Sequence, residues 1–385
     1  MIFVAETNEG GRIEYRDTKR YLWWLGFTVP LVPIIAIALY FALDGAAWVT
    51  LLPLLYSYGV IPLLDLAFGE DHANPPAEVV EKMAEDDYYR TLLLAIVPVF
   101  WAMLIACAWF VATADLPWWG YLAITLSCGM ASGTALTVGH ELGHKQSRLD
   151  RLFAMFATAL SGYGHFCIEH NKGHHTWVAT PEDPASARFN ESLYAFAGRE
   201  LPGTFKRGMH HESERLKRKG FSFWSTKNEV LQGYAITLAA WIVLTIWLGF
   251  AVLPFLIIQS IIGWFQLTQA NYVEHYGLKR GKKENGRYQP VEPRHSWNTN
   301  HIVSNLVLFH LQRHSDHHTN PMRPYQSLRN FDELPRLPSG YPGCFALAVI
   351  PPLWFKVMNP KVMDWAAGDM DAVNTGEVET IKVPS

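Results

Sequence analysis

Six nearly uncharged apolar stretches constrain this chain more than any other feature: about residues 21–43, 46–68, 91–114, 118–139, 231–250 and 251–272. A helix needs about 20 such residues to cross a hydrocarbon core roughly 30 Å thick, and only segments that satisfy their own backbone hydrogen bonds can stand there. The connections at Asp44-Gly45, at Asp115-Leu116-Pro117 and around Gly249 are so short that the six stretches must pair as three hairpins. Prolines 30, 33, 53, 62 and 98 fall inside the stretches, where a kink is tolerated if neighbouring helices re-satisfy the freed backbone groups. The expected class is an all-α integral membrane protein with six transmembrane helices.

Charge sets the orientation. Arg12, Arg16, Lys19 and Arg20 precede the first stretch, Lys82 and Arg90 separate the second from the third, and basic residues crowd 145–230 and 279 onward. The three short turns carry none, which by the positive-inside rule makes both termini and the long loops cytoplasmic. Residues 1–20 mix acids and bases without a cleavable small-residue site, so no removable signal peptide is expected. A net charge of -3 gives no case for nucleic acid. Cys107, Cys128, Cys167 and Cys344 never form Cys-x-x-Cys, which excludes a zinc-ribbon or rubredoxin-like module within this sequence.

The expected layout is a cytoplasmic N-terminal segment (1–20) and one membrane-embedded catalytic domain (21–345) bearing a cytoplasmic histidine-rich cap, then an interfacial segment (346–367) and a flexible tail (368–385). The segment from Lys145 to Glu229 is too long for a simple connection and is expected to form helices on the inner face, with 152–160 apolar but too short to span. Asp65, near the inner end of the second stretch, reads as an interfacially solvated charge.

Nine of the chain's 16 histidines fall in four compact motifs on that one side. His140 and His144 follow the fourth stretch in His-Glu-Leu-Gly-His-Lys; His170, His174 and His175 lie in Glu-His-Asn-Lys-Gly-His-His; His275 follows the sixth stretch; His314, His317 and His318 lie in Arg-His-Ser-Asp-His-His. Spacings of three and four residues suit a helix aiming several ring nitrogens at one point. One ion rarely takes more than six ligands, so nine imidazoles imply two metal sites.

Imidazole suits zinc, copper, iron and nickel alike, so ligand type does not choose among them. Histidine-rich, carboxylate-poor ligation beside a bilayer is compatible with iron and O2 chemistry. A membrane zinc hydrolase with Glu141 as its base is the competing reading, and a non-catalytic metal transport or storage protein is a third. Glu141, Glu169, Glu274 and Asp316 each adjoin a histidine. Because helix neighbours point about 100° apart, each is expected to orient a histidine of another motif from outside the ligand set. His72, His165, His210, His211, His295, His301 and His310 read as structural or surface residues, with His310 the strongest exception.

The three histidine boxes, the last followed by Tyr325-Gln326-Ser327-Leu328, resemble those of the bacterial membrane alkane 1-monooxygenases. Asn271-Tyr272-Val273-Glu274-His275-Tyr276-Gly277-Leu278 resembles the further motif that separates that family from fatty-acid desaturases. The resemblance covers residues 20–345 in order and spacing. It implies a six-helix non-haem enzyme of the bacterial inner membrane with two Fe ions held by the nine histidines. It also implies terminal hydroxylation of n-alkanes with O2 and electrons from reduced rubredoxin, itself served by rubredoxin reductase. Some members carry a fused rubredoxin; this sequence ends without Cys-x-x-Cys, so the donor is expected to be a separate protein or one lost from this sequence. Related oxygenases acting on aromatic methyl groups or fatty acyl chains are the nearest alternative.

Overall fold

The computed structural model describes residues 1–7 and 10–377. An antiparallel hairpin of β1 (Ile2–Glu6) and β2 (Arg12–Arg16) precedes the helices. Next come α1 (Leu22–Ala42), α2 (Ala47–Phe68), α3 (Asp87–Thr113) and α4 (Trp118–Gly143), all long and apolar enough to cross a membrane. The amphipathic α5 (Arg148–Ala159) follows. The helical run α6 comprises Phe166–Glu169, a π turn over His170–His174, and His175–Trp177. After α7 (Leu193–Arg218), the last two apolar helices are α8 (Glu229–Leu248) and α9 (Phe250–His275). Short α10 (His314–Thr319) and the bent pair α11 (Tyr341–Ala348) and α12 (Pro351–Trp365), which meet at 119°, close the cap.

The multi-pass helical architecture expected from apolarity is present, with the N-terminal β hairpin added to it, and the six helices match the six stretches to within a few residues. The differences of three or four residues lie at the start of α3 and at the two ligand-bearing ends. Apolarity stops at residues 139 and 272, but α4 continues to Gly143 and α9 to His275. The helices continue because His140, Glu141 and His275 are buried in protein instead of emerging into solvent, so their backbone groups still need helical partners. The start of α3 is set by Asp86, whose side chain accepts from the Tyr88 backbone and pairs with Arg20.

Helix α4 is the axis of the molecule: 83% of its most apolar window is buried, against 17–50% for the other five. Its contact with α9 is close enough to require glycine. A Cβ on Gly129 would stand 2.6 Å from Ile262 Cβ, and one on Gly133 would stand 2.5 Å from Gln266 Cβ. Facing Gly263 is equally confined, by Ser161 at 2.8 Å. With no hydrophobic driving force between helices in lipid, such small-residue contacts are what lets two backbones approach and pack.

Two expectations change on the non-membrane side. Asp65 is not solvated at the interface; it is buried, and its Oδ1 accepts from the Ser304 backbone N–H at 2.9 Å. Part of the expected flexible tail is fixed as well. Val373 is fully buried and bridges Leu278, and Asn374 exchanges backbone hydrogen bonds with Phe189 and Gly277. Those bonds come from distant loops, so the aperiodic local sequence carries no sign of them; the remainder of that expectation, residues 378–385, lies outside the described residues.

If the α4–α9 contact sets the bundle, Gly133→Val should lower stability by about 1–3 kcal/mol through overpacking, read as a lower thermal unfolding midpoint in detergent. Gly198→Ala, where an added Cβ meets nothing within 4 Å, should leave the midpoint unchanged or raise it slightly.

Candidate metal centre

The nine histidines meet at the end of the bundle where α4 and α9 finish. They divide into two adjoining clusters: His140, His144, His170, His175 and His317 in one, and His174, His275, His314 and His318 in the other, each with its candidate ligand atoms within 4.8 Å of one another. The rings of His175 and His318, one from each cluster, lie 4.4 Å apart between centroids.

This division departs from the expectation that each motif aims at a single point. Of the motifs with more than one histidine, only that of His140 and His144, one α-helical turn apart, sends all its rings to one cluster. In α6 the π turn widens the helix so that residues five apart share a face, placing His170 and His175 together with their Nε2 atoms 2.9 Å apart. His174 turns to the other cluster. In α10, His314 and His318 share a face at i and i+4, with Nε2 atoms 2.8 Å apart, while His317 points across to His175 at 3.2 Å.

These spacings test whether metal ions fit. Two nitrogens each about 2.1 Å from one ion, at right angles, stand about 3 Å apart. The buried Nε2 atoms of His140, His144, His174 and His275 have no hydrogen-bond partner in the protein, an expensive state unless something else satisfies them. Burial also pulls the basicity of His144, His170, His175, His314, His317 and His318 well below that of free imidazole. The rings are thereby kept neutral, the form that binds metal. Two metal ions, one per cluster, fit this donor set.

The four acids singled out by sequence fare differently. Glu274 lies against the second cluster, with Oε2 3.3 Å from His314 Nε2 and Oε1 accepting from Tyr341 at 2.7 Å. Glu141 pairs instead with Lys145 at 2.7 Å and accepts from the Tyr325 backbone at 3.3 Å. Glu169 binds Arg207, and Asp316 binds Arg323, Asn320 and the Arg329 backbone. These three are paired with Lys145, Arg207 and Arg323 and make no ion pair or hydrogen bond to a histidine ring among the described contacts, which corrects the expectation that they orient histidines directly.

A further acid that holds a histidine ring was missed. Asp183, fully buried in the loop Thr180-Pro181-Glu182-Asp183-Pro184, accepts from His174 Nδ1 at 2.9 Å and pairs with Arg207, which in turn holds Glu169. Burial opposes its ionisation, but His174 and Arg207 outweigh that and hold its carboxyl well below the ordinary value. It carries no histidine-box spacing, and a proline-flanked acid in a loop offers no periodic signal. Glu200 on α7 was missed too. Burial lifts its carboxyl to about 7, and it binds Thr268 and Asn271, locking α9 one turn before His275.

The remaining histidines stay outside the clusters. His310 packs edge-on against Trp23 and its Nδ1 pairs with the Tyr325 carbonyl; His165 pairs with Tyr234; His295 offers its carbonyl to His275 Nδ1 at 3.3 Å.

A family model described as fatty acid desaturase matches residues 116–347, the stretch that holds all four motifs. Over 94% of the chain and 89% of its own length, an alkane 1-monooxygenase of Pseudomonas putida is 51% identical. The chain belongs to the alkane 1-monooxygenase family. Another alkane 1-monooxygenase, from Ectopseudomonas oleovorans, is 53% identical over 94% of the chain and 90% of its own length. Alkane 1-monooxygenase 1 of Alcanivorax borkumensis is 50% identical over 95% and 89%.

The contacts of Asp183 and Glu141 separate their roles. Asp183→Asn should weaken metal binding about 10- to 100-fold, as loss of a histidine's carboxylate partner does, whereas Glu141→Gln should retain the full metal content; titration with metal followed by elemental analysis reads both.

Proposed function

We propose that this protein hydroxylates n-alkanes at the terminal carbon to 1-alkanols, using O2, two non-haem irons at the histidine clusters, and electrons from reduced rubredoxin recharged by rubredoxin reductase. His140, His144, His170, His175 and His317 would hold one iron, and His174, His275, His314 and His318 the other. The observation that carries this reading is the pair of adjoining all-imidazole clusters, with Nε2 atoms 2.8–3.2 Å apart, at one end of an apolar bundle. The protein would sit in the bacterial inner membrane with both termini cytoplasmic, in accord with the basic residues of its long loops.

When bound, the irons supply the redox chemistry that activates O2 toward an unactivated C–H bond. The chain's own residues position the substrate and keep water out. A narrow, mainly apolar space runs among α1, α2, α4, α9 and α11, lined by Val29, Val32, Met130, Ala131, Val307 and Phe345. It reaches Thr134, six residues and about 9 Å of helix before His140. An alkane offers nothing to hydrogen-bond, so shape and apolarity alone must hold it, and an uncharged lining suits access from the bilayer. Relatives whose names specify alkanes support the same substrate class. The hydrolase alternative is disfavoured by Glu141, which is committed to Lys145 and not to the histidines.

Purified protein supplied with octane, O2, NADH, rubredoxin and rubredoxin reductase should contain two irons per chain and form 1-octanol only when O2 is present. His317→Ala or His275→Ala should lower turnover by more than about 100-fold, beyond the loss typical of a residue outside the ligand set. Full activity of a zinc-loaded sample, or product formation without O2, overturns the proposal.

A further inference from the structure

A cavity of about 570 Å³ lies at the histidine-bearing end of the bundle, separate from the apolar space among α1, α2 and α4. Its walls are the end of α4, one face of α5, the run into α6, the C-terminal part of α7 and the start of α8. The volume falls in the range of small-molecule sites, roughly 300–1,000 Å³. Ala154, Met155, Cys167 and Ile168 make part of its lining apolar.

The rim is cationic. Lys145 and Arg215 also border it, but they are paired with Glu141 and with Glu212 and Glu229. Arg151, Lys172, Arg218 and Lys219 also line the cavity, and no ion pair to any of them is present among the described residues. Four uncompensated cations around one recess repel one another, and an anion seated among them relieves that.

A second observation identifies the kind of anion. On α5, the exposed Leu149, Leu152 and Phe156 form one stripe at helical spacing, beside the stripe of Arg151, Met155 and Thr158 that faces the cavity. The loop after α7 adds Phe221 and Trp224, the latter 80% exposed. Uncovered aromatic and aliphatic side chains next to a cationic recess, beside the end of α4 and the start of α8, match the interfacial zone of a bilayer. A soluble acidic protein would meet the cations without covering this apolar stripe; an amphiphile covers both.

We propose that this cavity binds one anionic phospholipid of the adjoining leaflet, its phosphate-bearing headgroup among Arg151, Lys172, Arg218 and Lys219 and its acyl chains along Leu152 and Phe156. The floor contains the hydrogen bond from Asn171 Nδ2 to the Gly143 carbonyl, 2.9 Å, which ties the end of α4 to the π turn of α6. A lipid seated there braces the two elements that carry His140, His144, His170 and His175.

The test compares the full-length protein with the triple variant Arg151→Gln, Arg218→Gln and Lys219→Gln, whose side chains touch no candidate ligand. Both are reconstituted in phosphatidylcholine nanodiscs containing a minor fraction of phosphatidylglycerol, returned to detergent, and weighed by native mass spectrometry. Wild type is expected to retain one phosphatidylglycerol per chain in preference to phosphatidylcholine, and the triple variant to retain at least about tenfold less. Lys217→Gln, which alters a cation outside the cavity, should retain as much as wild type. If the triple variant fails to fold, Arg218→Gln alone should still show reduced retention. Equal retention of the two lipids by wild type, or unchanged phosphatidylglycerol retention in the folded variants, overturns the proposal. Unchanged lipid retention with weakened rubredoxin binding also overturns it, in favour of a protein docking site.

Discussion

Everything in this protein answers to the demand that nine imidazoles be gathered into two adjoining sets. Left to themselves, buried ring nitrogens facing one another cost free energy: each unmatched polar atom forfeits its hydration, about 1–3 kcal/mol, and those of His140, His144, His174 and His275 have no protein partner. A fold retains such an arrangement only if the scaffold around it is stiff enough to prevent collapse and if a bound ion returns the lost interaction energy. The close glycine contact of α4 with α9 supplies much of the stiffness. It fixes, relative to each other, the two helices whose last turns carry His140 and His275.

The division of ligands between the clusters follows from helix geometry. An α-helix has only one good way to place two neighbours on a face, at three or four residues' separation, and that accounts for His140 with His144 and His314 with His318. Each box of three histidines contains two that are adjacent in sequence, which point about 100° apart on a helix, and in both boxes that pair divides between the clusters. The π turn at His170–His174 resolves the second box by giving a five-residue repeat to His170 and His175 and rotating His174 away. In the third box His317 lies off the face of its neighbours and crosses to the first cluster. Two boxes thus stitch the two sets together, which accounts for the ring contact between His175 and His318.

Much of this was legible in the sequence, because the signals are periodic and local. Apolar length located the six helices, and histidine density located the centre. What escaped depends on contacts between distant segments. The apolar pattern could not say that α4 and α9 outlast the bilayer-like stretch, since that depends on the cap burying Glu141 and His275. Nor could spacing tell which acids face the rings. A helix offset of about 100° excludes an immediate neighbour, but it cannot distinguish Glu274, which finds His314, from Glu169, which finds Arg207. Asp183 and Asn374 work from loops, where residue type says little about destination.

The acids that do reach the centre are unevenly shared. Glu274 lies against His314, and Asp183 holds His174, both in the four-histidine cluster. Among the described contacts, no carboxylate lies against a ring nitrogen of the five-histidine cluster, and Lys145, one residue after His144, is paired with Glu141. Second-sphere carboxylates raise ligand basicity and offset the charge of a bound ion. An ion held by the five-histidine set would therefore have fewer carboxylates beside it than one held by the four-histidine set. Two clusters built from the same side chain thus differ in their surroundings, through Asp183, Glu274 and the Arg207 link that ties Asp183 to Glu169.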